Sequence, residues 1–427
     1  MKPLRNISLA AYFSLFLLTV FVSTSRLVAQ SVNQKMLENL LREKASPALL
    51  KVLDNPQKFR YQLIYTRIDR NKKNEPTFAN YGFRVNKAEY FNPASMVKMP
   101  VALVALEKMN SLRDRKIEKF TTMLTDSSYE RQTVVREDTS SSTGFPSVAH
   151  YIKKIFLVSD NDAYNRLYEF TGQQYLNERL WEMGYKDLRI TRRFVTMNED
   201  QNRHTNQVRF MDGARLLYTQ PPAVSKLSFD FSKQQLIGKA HYNREEQLID
   251  SPMNFTTHNN APLADLQQIL QSVMFPASVP AKKRFSLTPD DYTFLYRYMS
   301  MLPSQSKTPS YDTSEFFDSY TKFFMFKSGR SSIPEHIKVF NKTGWSYGFL
   351  TDVAYIADVK NGVEFMLSGV IYVNEDGVLN DDKYEYEEIG YPFFKEVGDI
   401  IYQHELERPR KYKPDLSRFW VRSDDQR

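Results

Sequence analysis

Apolar and polar positions divide the chain into strand-like ends and a helical middle. Residues 59–68 are rich in aromatic and β-branched types and read as a strand, with a polar turn at Arg70-Asn71-Lys72-Lys73-Asn74. Phe83 to Phe91 reads as returning strand, and Pro93 ends it. Ala94 to Met109 is apolar nearly all round, the pattern of a helix buried on every side, with Pro100 predicting a kink or first-turn adjustment. Helices over 147–158 and 162–170 flank Ser159-Asp160-Asn161. Residues 191–222 are polar and irregular, and 223–285 mix His, Asn and Gln with short apolar pieces that show no clear period. Thr288 or Ser286, then Pro289, Asp290 and Asp291, form a capped helix start. Three strand-like runs follow at His336–Asn341, Phe349–Val359 and Val363–Val373, with Asn361-Gly362 as a hairpin signal, and residues 388–407 form an amphipathic helix. Strands at both ends with helices between predict an α/β (α+β) fold, a mixed sheet built from both termini with an inserted helical lobe.

Composition narrows the chemistry. The 427 residues contain no cysteine, which excludes disulfides, thiol nucleophiles and Cys-ligated metal centres. Glycine is scarce at 14 residues, and no dinucleotide-binding or phosphate-loop run of glycines occurs. The net charge is +8, but residues 1–29 have the features of a secretory signal: Lys2 and Arg5, an uncharged and mostly apolar run from Leu9 to Val22, and Leu27-Val28-Ala29 before Gln30. Losing Lys2, Arg5 and Arg26 with that segment leaves +5, interleaved with acids as in Arg113-Asp114-Arg115-Lys116-Ile117-Glu118-Lys119. This is a solvated surface rather than a nucleic-acid track. The apolar run is short for a membrane span. The expected product is therefore exported, periplasmic or secreted, without a membrane span once the signal is removed, and monomeric.

Three local features carry chemistry. Lys98 lies inside the apolar helix, where an unpartnered ammonium is costly, and Ser95 sits three residues earlier on the same face. A desolvated lysine can take the proton from a serine hydroxyl and make it a nucleophile. The spacing alone is cheap, since Ser304–Lys307 and Ser319–Lys322 share it without the apolar context. Ser159-Asp160-Asn161 sits at a helix junction, where the plain alternative is an N-cap. Lys342-Thr343-Gly344 closes a strand; a lysine and a hydroxyl there can bind a carboxylate, and glycine admits close approach of a substrate backbone.

Taken in order, S-x-x-K, S-D-N and K-T-G resemble the motif set of the penicillin-recognising serine hydrolases, class A β-lactamases most closely. The return strand Tyr347-Gly348-Phe349-Leu350-Thr351-Asp352-Val353-Ala354 has the same look. The resemblance covers roughly residues 50–222 and 286–405. It implies a β-lactamase/transpeptidase-like domain over 30–427: an antiparallel α/β lobe from 50–92 and 330–407, a helical lobe from 93–329, and an atypical insertion at 223–285. It also implies roles. Ser95 is the acylated nucleophile, Lys98 its proton acceptor, and Ser159 the relay to the leaving nitrogen. Asn161 holds the substrate's amide side chain, and Lys342 with Thr343 binds its carboxylate. The N–H groups of Ser95 and of Trp345, next to Gly344, form the oxyanion hole.

One departure matters for turnover. Class A enzymes use a loop glutamate to activate the deacylating water, and the matching position, two residues after Arg193, holds Val195. Glu199 and Asp200 are the nearest acids, so Glu199 is the candidate base. The expected activity is opening of β-lactam amides through an acyl-serine, with no cofactor or metal. The alternatives are a D-alanyl-D-alanine peptidase or cell-wall amidase acting on peptidoglycan peptides, or a non-catalytic binding protein of the same fold. The six histidines show no metal-ligand spacing.

Overall fold

The strand-forming ends meet in one sheet. The computed structural model describes residues 35–420; the expected signal segment, residues 1–29, lies outside them. Strands β1 (Gln62–Arg70), β2 (Pro76–Phe83), β3 (Ile337–Ser346), β4 (Phe349–Asp358) and β5 (Val363–Tyr372) align in the order β3-β4-β5-β1-β2. Every neighbouring pair is antiparallel, with Ile64 opposite Ser368 where the chain's two halves join. All residues of β4 and β5 are buried, so the sheet is covered on both faces. Alternation sorts the side chains: Val353, Tyr355 and Met366 enter one core, while Ala354, Ile356 and Leu367 enter the other.

The first core joins the sheet to the helical lobe. Its centre is α1 (Lys98–Asn110), buried at every position from Lys98 to Glu107, as the all-round apolar pattern requires. Pro100 falls in the first turn, where a missing N–H is tolerated. Around α1 pack α2 (Val148–Val158), α3 (Asn161–Thr171) and α4 (Gln173–Glu182). Two later helices, α5 (Leu263–Met274) and α6 (Pro289–Ser300), pack on β4 and β3 respectively. Helix α6 starts with the expected cap: the Thr288 hydroxyl accepts from Asp291 N at 3.2 Å, and the Asp291 carboxylate accepts from Thr288 N at 2.9 Å. The second core lies under α7 (Tyr391–Glu407) and the helical segments near the start of the described chain. Among the described residues no helix is long and apolar enough to cross a membrane.

Four elements differ from the pattern reading. The return strand is Pro76–Phe83 rather than Phe83–Phe91, because the turn at Asn71–Glu75 closes a hairpin directly on β1. Residues 208–220 are not irregular but form a hairpin of Val208–Asp212 and Arg215–Gln220 beside Thr122–Thr125. The segment 223–285 is not without a period throughout: α5 lies on the sheet, burying Leu266, Ile269, Leu270 and Val273 at helical spacing. Gln267 interrupts that pattern yet is buried too, donating to Thr66 Oγ1 at 2.9 Å. Finally, β3 continues past Asn341 to Ser346, so Lys342-Thr343-Gly344 lies within an edge strand.

Candidate active site

The nucleophile candidate is presented by a tight turn. Asn92 Oδ1 accepts from Ala94 N at 3.0 Å, Pro93 O accepts from Met96 N at 2.9 Å, and a 3-10 turn over Ala94–Val97 leads into α1. Ala94 adopts φ 45°, a left-handed conformation costly for a residue with a Cβ. Fully buried Met96 and Val97 hold the turn down. Ser95 is partly exposed, opens into a cleft of about 690 Å³, and among the described residues its hydroxyl makes no hydrogen bond.

Lys98 and the S-D-N segment meet directly. Lys98 Nζ is completely buried; it donates to the Ser159 carbonyl, to Asn161 Oδ1 at 2.7 Å and to Ser159 Oγ at 3.3 Å. It also lies 5.1 Å from the centre of the Phe194 ring. Burial, and then the nearby Lys342 charge, hold its amine well below the ordinary lysine range. Ser95 is not among its hydrogen-bond partners. Such contacts tighten in substrate complexes.

Ser159-Asp160-Asn161 forms an N-cap and also meets the two buried lysines. Asp160 caps α3, accepting from Ala163 N at 2.7 Å. The same junction forces Ser159 into a left-handed conformation at the end of α2 and turns its hydroxyl inward. There Ser159 Oγ accepts from Lys342 Nζ at 2.8 Å. Lys342 is buried, also donates to Thr343 O at 2.7 Å, and is pushed down to about 7, chiefly by desolvation. One hydroxyl thus lies within hydrogen-bond reach of both lysines.

Gly344 sets how close β3 comes to the nucleophile. A Cβ at this position would lie 2.7 Å from Pro93 O, 2.8 Å from Ser95 N and 3.0 Å from Met96 N. The strand backbone therefore rests directly on the turn that carries Ser95. Trp345 lines the cleft, its ring edge-on to Tyr320 at 5.6 Å. Thr343 is fully buried, and its hydroxyl has no hydrogen-bond partner among the described residues.

The loop that follows α4 forms the opposite wall and is tightly held. Arg193 is buried: its Nε donates to Glu169 at 3.0 Å, and its other nitrogens to the carbonyls of Gln201 and His204. Phe194 N donates to Asn165 Oδ1 at 2.7 Å, and the Phe194 ring stacks on Tyr164 at 4.5 Å. Arg193→Ala is expected to cost about 3 kcal/mol in chemical denaturation, because Glu169 would remain buried without one of its two cations.

This loop does not bring Glu199 to Ser95. Glu199 is exposed at the start of the short helix Glu199–Arg203 and lines a neighbouring cavity instead. The capping box of Asn198 and Gln201 fixes that helix start, and Glu199 does not line the Ser95 cleft. Val195 and Thr196 face the cleft, and Asp160, already used as a cap, is its one lining carboxylate among the described residues. Residues not anticipated from the sequence also line it: Arg192, Phe194, Arg244 and His258. No motif marks them, because segments far apart in the chain place them together.

The K-T-G edge strand lies against the S-x-x-K turn, and the S-D-N junction of the helical lobe meets the lysines of both. Residues 73–227 match the model of the beta-lactamase enzyme family, a span that includes the first two motifs and ends before the third. Solved structures similar to the chain include a beta-lactamase from Xanthomonas campestris, at 14% identity and TM-score 0.47, over 87% of this chain and 98% of that one. Another is a beta-lactamase from Desulfarculus baarsii, at 14% identity and TM-score 0.45, over 83% and 96%. A third, from Streptosporangium roseum, has 14% identity and TM-score 0.45 over 88% and 98%. No curated protein matches the chain.

Proposed function

We propose that this protein is an exported serine hydrolase that opens amides of the β-lactam or D-alanyl-D-alanine type through an acyl-Ser95 intermediate. The observation that carries the reading is Ser159 Oγ lying between Lys98 Nζ and Lys342 Nζ, beside the turn that presents Ser95. Lys98, with its lowered proton affinity, takes the Ser95 proton as Oγ attacks the carbonyl carbon. The N–H groups of Ser95 and Trp345 receive the developing oxyanion. Ser159 passes a proton to the leaving nitrogen as the C–N bond breaks, and Lys98 replaces it. Lys342 and Thr343 hold the substrate carboxylate, and Asn161 holds the amide on the acyl side.

Deacylation is where the two substrate readings part. Among the described residues the one carboxylate lining the cleft is the capping Asp160, and Glu199 lines the neighbouring cavity, which favours the peptidase over the lactamase. Intact-mass spectrometry over time after mixing with a penicillin tests this. The expected result is a single adduct on Ser95 that persists; rapid release would indicate a lactamase, and no adduct would overturn the reading.

The lysines also set a pH dependence. Adduct formation should rise with pH while Lys98 loses its proton. It should fall as pH passes about 7, where Lys342 loses the charge that attracts the carboxylate. Second-order labelling rates from about pH 5 to about pH 9 give the profile. Export is tested by sequencing the N-terminus of the mature protein, expected at Gln30.

A further inference from the structure

The cleft does not end at the loop wall. A second chamber of about 340 Å³ adjoins it, and the two share Arg192, Arg244 and His258. The segment after residue 223 contributes Phe229, Phe231, Arg244, Thr257 and His258 to this chamber. Its join to the loop is rigid. Arg189 and Asn260 exchange backbone hydrogen bonds at 2.8 Å, Thr191 Oγ1 donates to Thr257 O at 2.8 Å, and Thr191 N donates to Asn259 Oδ1 at 2.8 Å.

The chamber's charge is one-sided. Arg192, Arg203 and Arg244 line it against one carboxylate, Glu199. Arg203 is occupied with the carbonyls of Ser225 and Leu227, but among the described residues no carboxylate pairs with Arg192 or Arg244. Arg192 Nη1 lies 2.7 Å from His258 Nε2, and burial holds that imidazole down at about 3, so it accepts as a neutral ring and leaves the guanidinium charge uncompensated.

The side of the scissile bond this chamber serves follows from the roles proposed for Lys342 and Asn161. Contacts run from Lys342 to Ser159, from Ser159 to Lys98, and from Lys98 to Asn161 and the Phe194 ring; Arg192, two residues before Phe194 on the loop wall, pairs with His258. Lys342 marks the leaving side and Asn161 the acyl side, so the second chamber extends the acyl side.

We infer that this second chamber binds a carboxylate on the acyl portion of the substrate, so that the natural substrate is an acidic peptide cleaved on the C-terminal side of its anionic residue. The inference rests on the proposed acyl-Ser95 chemistry for its direction. A planar guanidinium binds carboxylate through two parallel hydrogen bonds, and two such groups with aromatic walls make a selective pocket.

Binding separates this inference from the chemistry. Ser95→Ala protein is titrated by calorimetry with two peptides ending in D-alanyl-D-alanine, identical except for Glu or Gln in the acyl portion. The Glu peptide should bind about tenfold tighter than the Gln peptide, and Arg244→Gln in the same background should reduce that preference to about threefold or less. Arg244 is exposed and pairs with no carboxylate among the described residues, so the variant should fold normally, and an unchanged thermal melting midpoint verifies this. Equal affinity for the two peptides, no binding of either, or a preference that survives Arg244→Gln would overturn the inference. A peptide preference in a protein that penicillin does not acylate would instead retain the chamber and remove the acyl-serine reading.

Discussion

Ser95→Ala should abolish the covalent penicillin adduct, lowering the acylation rate by on the order of 10⁴-fold or more. Ser95 Oγ opens into the cleft beside the buried Lys98 amine, and the turn over Ala94–Val97 holds it there at the cost of a left-handed alanine. No other S-x-x-K pair can substitute. Ser304 and Lys307 are exposed on the surface, away from any such environment. Ser319 and Lys322 are both buried, and Lys322 Nζ is engaged by the carbonyls of Met299 and Val339 and by Asn341 Oδ1. Ser319→Ala is therefore the matched control, and it should leave the adduct on Ser95 unchanged. Peptide mapping of the labelled protein distinguishes the two serines. An adduct that survives in Ser95→Ala at the wild-type rate would sink the mechanism.

Gly344→Ala should be nearly as damaging, although the residue contributes no functional group. The added methyl would meet backbone atoms on the nucleophile turn at 2.7 to 3.0 Å, and backbone cannot yield as a flexible side chain can. Since β3 is an edge strand held on one side only by β4, it would move outward from Ser95. Moving the strand would displace the Trp345 N–H from the oxyanion position proposed for it, and losing one such donor costs about 10²- to 10³-fold in rate. The stability loss should be smaller, about 1–3 kcal/mol from overpacking. Labelling rate and thermal melting measured on the same sample separate the effects. A variant that melts normally and labels normally would show that β3 does not have to touch the turn.

How much of this was visible in the sequence depended on how local the cause was. The burial of α1 follows from its all-round apolar pattern, and Lys98 was conspicuous because a charge within such a run needs a reason. The cap at Thr288 and the hairpin at Asn361-Gly362 are set by residues within a turn of each other. Helix α5 was obscured because Gln267 and Gln271 interrupt its apolar face, and Gln267 is buried only because Thr66, on a distant strand, accepts its hydrogen bond. Glu199 was the nearest acid along the chain, but the anchoring of Arg193 on Glu169 and the Asn198 cap carry it into the adjoining chamber. Nothing local to Arg192, Arg244 or His258 marks them as neighbours.

By itself, then, the sequence determined α1, the cap at Thr288, the hairpin at Asn361-Gly362, and the three motifs and their order, since helix periodicity, capping and turn formation act between residues a few positions apart. Tertiary structure decided which groups meet: that Ser159 stands between two lysines, that Gly344 lies on the Ser95 turn, and that the loop wall offers arginines where a carboxylate was sought. Those outcomes depend on how β3, the S-D-N junction and the segment after residue 223 pack against one another, and packing between distant segments is set by the shape of the whole core.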